Sequence, residues 1–544
     1  MTEPERTRPA QAGRDYDADV LIVGMGPTGA ALAGLLGQHG IRTAVFDKLP
    51  GLYPLPRAAG MDHEVMRIAQ ELQIAEALQR HVVPYRASEY HGVDGQVIKR
   101  LDSPPPPHRL GWDPMYAFDQ PAFENLLRER VAALPSVTVS LGCTVSRIGQ
   151  DEEHAWVDVQ RADTTTIERV TGRYLVGCDG GSSPVRQALG ITLTDLEFHE
   201  DFLVVDAIVG DEALSRLPAT QVQYCEPERP STFVVLAGHH RRWEIMLNPG
   251  ELVPGAVTDA EAWPFLERWI KPGDAELWRS AAYTFHGLVA DQWRSGRILL
   301  AGDAAHMTPP FMAQGMAQGM RDAQNLAWKL RHALMAPTAV PDLLDSYQLE
   351  RRPHVIATTG HTIDLGRVIC ERDFNKARAR DIELRGADDT AVPVTYRSTF
   401  LPPLADGLIA THTAGAGQIL PQPRVLVPGG GSVLLDEQSG CGFRVITSAE
   451  VNPDDIAALT KSIAPLDGSV IRLLPRNSVP TEEPCTVIEA DNLLTSWLTD
   501  LNRTIVIARP DHIVYGTAAS TDECQTLIAE LLTHLGSHME SRHG

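Results

Sequence analysis

ADVLIVGMGPTGAALAGLLGQHGIRTAVFDK, Ala18 to Lys48, is the stretch on which the fold turns. A short apolar run meets Gly24-x-Gly26-x-x-Gly29, continues as a helix of small residues, and ends on a second apolar run that closes in Asp47. A strand, a tight glycine turn, a helix and a second strand ending in an acid make a βαβ unit that takes a dinucleotide. Gly24 makes the turn, Gly26 lets the backbone approach a pyrophosphate, and Gly29 lets helix and strand pack closely. Asp47 is placed for the ribose hydroxyls of an adenosine, and Pro27, Thr28 and Lys48, beside these positions, are counted with the cofactor site. The pattern does not separate NAD from FAD. Its glycines and proline mark strand, turn and helix, not a membrane span.

A second strand end lies far downstream, in RILLAGDAAHMTPPFMAQGM, Arg297 to Met316. Open α/β sheets place ligands at such ends. Asp303 there would accept a hydrogen bond from a hydroxyl, and Gly315 and Met316 would present backbone N–H groups at a helix start, which suits an anion. A third apolar strand ends in Asp179-Gly180-Gly181, which taken alone is a turn, with Arg186 one helical turn on. Between these motifs, PRAAGMDHEVMR carries Arg57, which reads equally as a pyrophosphate ligand or an exposed loop arginine. Asp62 is most simply a helix N-cap ahead of the core stripe Val65, Ile68, Ala69 and Leu72, and Gln120 opens an amphipathic helix.

The remaining chain bounds the reading. With 544 residues, two or three domains are expected. A formal net charge of −22 argues against nucleic acid or an anionic membrane surface as partner, because phosphate binding needs a basic field. Seven scattered cysteines without a C-x-x-C pair predict neither a metal cage nor a disulfide framework, and fit a reducing cytoplasm. The polar residues 1–16 read as a disordered arm and the tail as a loose terminus. Residues 195–290 alternate in the manner of antiparallel strands, 84–118 are proline-rich with short strand candidates, and from about 405 the composition shifts to a separate small α/β domain.

GMGPTG with its downstream acid, Arg57, CDGGSSPVR and RILLAGDAAHMTPPFMAQGM stand together in this order. The combination resembles the class A flavin-dependent aromatic hydroxylases over nearly the whole chain. RAAGMDHEVMR, VQYCEPERPSTFV, RRWEIMLNPGE and GMRDAQNLAWKL carry a closer likeness to the 3-(3-hydroxyphenyl)propionate and 3-hydroxycinnamate hydroxylases. The resemblance implies an α/β fold: a Rossmann-like FAD-binding domain over 17–395 with an inserted, mainly antiparallel substrate sheet (about 84–118 and 195–290), and a thioredoxin-like domain over 405–535. It implies that Gly24, Gly26 and Gly29 cradle the FAD pyrophosphate, that Arg57 and Gln120 contact phosphates and ribityl chain, and that Asp303 binds a ribityl hydroxyl. Pro309 and the turn to Gly315 and Met316 would face the isoalloxazine, and Asp179 and Arg186 would serve local structure and NAD(P)H docking. A homodimer is expected from the class. One departure stands out: the family's G-Q-G-x-N reads Ala313-Gln314-Gly315-Met316-Ala317 here, which predicts a stiffer loop.

The implied reaction reduces FAD with NAD(P)H, adds dioxygen at flavin C4a, and transfers one oxygen from the hydroperoxide to a phenol ring. A base or acceptor near the phenol should matter. Tyr224 is one candidate, with a core aromatic as the plainer reading. Asp62 and His63 are others, with helix cap and surface residue as theirs. Arg241 or Arg242 would suit a substrate carboxylate, and His306 reads as a packing residue of the flavin loop. Rivals are an oxygenase of larger polyketide or antibiotic rings, a halogenase (whose tryptophan pair is missing), a NAD-dependent dehydrogenase and a non-catalytic flavin-binding protein.

Overall fold

The computed structural model describes residues 16–85, 87–335, 341–385, 392, 394–427, 430–479 and 485–536. Apart from Tyr16, the arm expected over 1–16 lies outside them, as does the tail beyond 536.

Five parallel strands form the spine of the first sheet, in the order Ile298–Leu300, Ile167–Gly177, Ala18–Val23, Thr43–Asp47 and Val137–Leu141. Ala18–Val23 is buried along its whole length, as a central parallel strand covered on both faces must be. The helix Pro27–Gly37 packs so closely that side chains at Gly34 and Gly37 would meet Leu72 and Val137. That closeness is why this helix is written almost wholly in small residues and leucine. The helix Gln314–Met335 crosses it, and Leu326, Ala327, Leu330 and Leu334 are all buried as their spacing predicts.

A second sheet of ten strands is mainly antiparallel, around Leu193–Val209, Ala275–Ala290, His240–Met246, Ser231–Val235 and Gln221–Tyr224. Ser88–His91 and Val97–Asp102 extend it, and Val394–Tyr396 adds an outer strand parallel to Val97–Asp102. Met115–Phe118 belongs instead to a separate three-stranded sheet with Gly60–Asp62 and Val82–Pro84. One face of the large sheet is closed by an apolar cluster under the helix Asp259–Leu266, and on the other Phe202, Cys225 and Met246 cluster with Phe311 and with Ile363 and Ile369 of the helix Pro341–Cys370.

The C-terminal part carries a mixed sheet in the order Thr486–Ile488, Ser469–Leu474, Arg444–Thr447, Ile505–Ala508 and Val514–Ala518. Its first three strands are mutually parallel and the last two antiparallel. Pro453–Ile463 and Thr521–His534 cover one face, and Leu493–Asp500 the other. It docks through buried ion pairs. Arg67 donates to both oxygens of Asp436 (2.6 and 3.0 Å) and to the Leu420 carbonyl (2.6 Å). Glu350 takes Lys329 and both terminal nitrogens of Arg509, which also pairs with Asp511. Trp328, on the Gln314–Met335 helix, stacks edge-on against Phe443 at 5.5 Å.

Candidate active site

Three strand ends meet at one place: Val23 before Gly24, Gly177 before Asp179, and Leu300 before Asp303. A cavity of about 650 Å³ begins between them and runs under the antiparallel sheet. At its dinucleotide end Gly24 has φ +103°, and a side chain there would run into the Cys178 carbonyl. Gly26 leaves open space within 4 Å where a side chain would stand, so the wall is bare backbone. Pro27 and Thr28 continue that wall, while Gly29 lies behind it, where a Cβ would collide with the Gly24 carbonyl. Asp47 and Lys48 border the same end, the Asp47 carboxylate accepting from Met25 N (2.6 Å) and Leu49 N (2.8 Å).

Gln120 does its work through the backbone of a neighbouring loop. Its Oε1 accepts from Arg57 N (2.7 Å) and Ala58 N (2.5 Å), which fixes the segment presenting Arg57 to the cavity. The Arg57 guanidinium lies over the Tyr53 ring at 4.6 Å. Asp303 is exposed to the cavity and has no hydrogen-bond partner among the described residues; desolvation by the surrounding site raises it above the usual carboxylate range. A carboxyl left unpaired at a strand end wants a hydroxyl donor. Bare glycine backbone, a ribose-facing acid and this orphan fit an adenine dinucleotide with a hydroxylated chain, as in FAD.

The loop that closes the site is held from behind. Asp322 Oδ2 accepts from Gly302 N (3.0 Å) and His306 Nε2 (2.7 Å), and its Oδ1 from Arg351 (2.8 Å). His306 is therefore a hydrogen-bonded packing residue, as expected. Arg186 donates to the carbonyls of Gly181 (2.8 Å) and Ala304 (3.0 Å), tying two strand-end loops together. Asp179 accepts from Ser183 Oγ (2.5 Å) and Val185 N (2.9 Å). Gly315 and Met316 border the cavity. Pro309 does not: it is extended (φ −57°, ψ 152°) and buried, and Pro310 is the proline on the wall.

The far wall comes from the large sheet. Gln223, Thr232 and Glu244 stand in cross-strand register, and Arg242 lies two residues from Glu244 on the same face. Here the sequence expectations need correcting. Tyr224 points to the opposite face, into the cluster under Asp259–Leu266, where its hydroxyl meets Trp269 Nε1 at 3.3 Å. Strand alternation turned the neighbouring Gln223 inward instead. Arg241 also points away, donating to the carbonyls of Gly238 (2.9 Å) and His240 (2.6 Å). Arg242 faces the cavity but is committed to Asp206 (2.8 Å) and to the Arg57 carbonyl (2.8 Å). Asp62 and His63 border only a small separate void beyond Met312. Asp62 caps the helix His63–Glu71 and pairs with Arg321; burial opposes its charge, but Arg321 keeps the carboxyl below its ordinary value.

Glu244, Tyr85 and Arg397 were missed. Glu244 is buried on the cavity wall, where desolvation pushes its carboxyl up to about 7. Arg397 donates to Ser88 Oγ (2.6 Å) and lies over the Tyr85 ring at 5.0 Å, with no carboxylate partner among the described residues. RRWEIM held a readable signal for Glu244: charges at alternate positions between apolar neighbours mark a polar inner face.

Glu71, Cys441 and His512 converge behind the helix His63–Glu71. Arg444 donates to His512 Nδ1 (2.8 Å), which leaves the proton on Nε2, facing Glu71 at 3.7 Å. Burial pushes the Cys441 thiol well above its usual value. A protonated thiol and a proton-bearing ring nitrogen make this a partly buried polar contact between domains.

The family model for an FAD binding domain matches residues 17–362, and one for an HcaD C-terminal domain matches 417–534. This chain belongs to the FAD-dependent aromatic hydroxylase family. The hydroxylase is 37% identical over 530 residues to a protein of Rhodococcus jostii (strain RHA1) named probable NADH-specific resorcinol 4-hydroxylase, with 96% of each chain covered. It is 35% identical over 454 residues to a 3-(3-hydroxy-phenyl)propionate/3-hydroxycinnamic acid hydroxylase of Mycobacterium sp. (strain JLS), covering 80% of this chain and 77% of the relative. Two solved structures share the fold. One is the flavin-dependent monooxygenase PieE in complex with FAD and substrate (TM-score 0.78, 20% identity, 97% and 100% coverage). The other is aklavinone-11 hydroxylase with FAD and aklavinone (TM-score 0.75, 21% identity, 96% and 100% coverage). A plain NAD-dependent dehydrogenase is thereby set aside. No described helix of the hydroxylase is long and apolar enough to cross a membrane.

Proposed function

We propose that this enzyme uses NAD(P)H and dioxygen to hydroxylate a small phenol bearing a carboxylate arm, of the 3-(3-hydroxyphenyl)propionate kind. The observation that carries the reading is the continuity of one cavity from the Gly24–Gly26 turn to a wall of Gln223, Thr232, Glu244 and Arg397. Bound FAD supplies hydride acceptance and oxygen activation. Gly24, Gly26 and Asp47 would hold its adenosine diphosphate, Asp303 its ribityl chain, and the turn to Gly315 and Met316 its ring. The chain's own part is to seat the phenol against that ring and exclude water. Arg397, a cation without a carboxylate partner among the described residues, supports an anionic arm at the far end.

A second reading is a neutral dihydroxybenzene, supported by the name of the Rhodococcus relative. That name also favours NADH as donor. Larger polyketide rings make a third arm of the same test. The measurement is NADH and NADPH oxidation by FAD-loaded enzyme, with product analysis, against 3-(3-hydroxyphenyl)propionate, resorcinol and a polycyclic phenol. A catechol product from the propionate, lost on Arg397→Met, supports the first reading. Turnover of resorcinol alone selects the second, and no product from either small phenol overturns both.

Seven free cysteines support a reducing, cytoplasmic setting. The strand order of the C-terminal sheet supports a thioredoxin-like reading of that domain, which lacks the C-x-x-C pair of a redox-active one. A homodimer is the assembly we infer from the class, and sedimentation of the holoenzyme tests it.

A further inference from the structure

Glu244 is 6% exposed, and what exposure it has is to the cavity. Its neighbours leave it unused. Arg242 approaches no closer than 3.9 Å and spends its donors on Asp206 and on the Pro56 and Arg57 carbonyls. Thr232, opposite in register, gives its hydroxyl to Gln223 Oε1 at 2.6 Å. No hydrogen bond reaches the Glu244 carboxyl from any described residue. A buried acceptor with all its lone pairs free is costly unless a ligand supplies a donor.

We propose that Glu244 accepts the phenolic proton of the bound substrate. The inference rests on the phenol-hydroxylase reading and names the base that reading lacked. In the step, the phenol O–H bond breaks, the proton passes to a Glu244 carboxylate oxygen, and the electron pair stays on the ring oxygen. The ring becomes a stronger nucleophile, no oxidant is consumed in this step, and the proton returns to solvent as product leaves.

The charged and titratable groups around Glu244 shape its behaviour. Arg242 shares its strand, Asp206 and Arg279 face it from the next two strands, and Tyr85 and Arg397 line the same cavity. Asp206 is held ionised against its burial by Arg242, so the arginine's charge is largely answered before it reaches Glu244. Desolvation therefore dominates, and it places the carboxyl near 7, where a base can both take and release a proton.

The test uses the FAD-loaded enzyme in two measurements. The first is the affinity of the oxidised enzyme for a turned-over phenol and for its O-methyl ether, as a function of pH. Phenol should gain on ether as pH rises through about 7, and Glu244→Gln should flatten that dependence. The second is the pH profile of kcat/KM, whose ascending limb should vanish in Glu244→Gln with a loss of about a hundredfold or more, while Glu244→Asp keeps part of both. Absorbance and FAD content of the variants check that the site is intact. If native enzyme hydroxylates no phenol, the functional reading fails before any variant is made. If native enzyme works and Glu244→Gln keeps both the affinity dependence and the ascending limb, only the role of Glu244 is overturned.

Discussion

Asp322 holds His306 and the Gly302 amide on one carboxylate oxygen, at 2.7 and 3.0 Å, and Arg351 on the other. Burial opposes its charge, yet His306 and Arg351 bring the carboxyl down to about 2. A carboxyl depressed on folding stabilises the protein above its unfolded value near 4, and that contribution is lost as pH falls toward about 2. Asp322→Ala should cost about 3 kcal/mol or more, because it leaves buried donors unpaired. Urea unfolding with FAD retention as a second signal checks this, the expected result being early loss of flavin.

Gly319 and Gly302 both pack on Thr28 Oγ1, and a side chain at either would collide with it. Gly319→Ala should push the long helix off the dinucleotide turn, costing about 1–3 kcal/mol and weakening FAD. Combining it with Thr28→Ala should restore part of the loss, since the two changes share one contact. Additive losses in a calorimetric titration with FAD would contradict the shared contact.

Ala313 has φ +56°, a left-handed backbone that L side chains rarely adopt, at the step from Pro310–Met312 into the long helix. Ala313→Gly removes that strain but adds unfolded-state entropy, so stability should move by no more than about 1 kcal/mol. The loop should loosen, which stopped-flow flavin reduction would show as a faster rate. Ala313→Val should destabilise by more than about 1 kcal/mol, because branching worsens the same strain.

Tyr224→Phe should leave kcat/KM within about threefold of native, since among the described residues the hydroxyl bonds only Trp269, outside the cavity. Gln223→Leu, one residue away, should alter KM for the phenol. Steady-state kinetics of both variants separates the two faces of one strand.

Docking of the C-terminal domain should be acid-labile. Burial opposes the charge on Asp436 and Glu350, but Arg67 and Arg509 hold both carboxyls well below their ordinary range. Their contribution is full at neutral pH and declines once the medium falls below about 4, the unfolded value. Limited proteolysis across that range should release the C-terminal domain at acid pH first.

The dinucleotide half of the site was legible because its chemistry is local. Gly24, Gly26, Asp47 and Asp303, which all border the cavity, sit at backbone turns and strand ends that sequence writes in fixed order. The phenol half was not, because it is assembled from strands whose facing depends on register. One position of strand phase separates Tyr224 from Gln223 and Arg241 from Arg242, and no glycine or proline marks which is which. Pro309 and Pro310 pose the same problem in a loop. Arg397 was invisible for another reason: it falls between the domains expected over 17–395 and 405–535, and pairing of Val394–Tyr396 with Val97–Asp102 brings it to the cavity.

That pairing makes the connecting segment part of the cavity wall. The chain leaving the catalytic body stitches itself onto the sheet, contributes a cation to the chamber, and only then enters the tail domain. Trimming the protein back to its FAD-binding portion would thus remove a wall along with an appendage. Substitutions far out in the tail have a covalent route to the aromatic chamber, through a tether anchored at both ends.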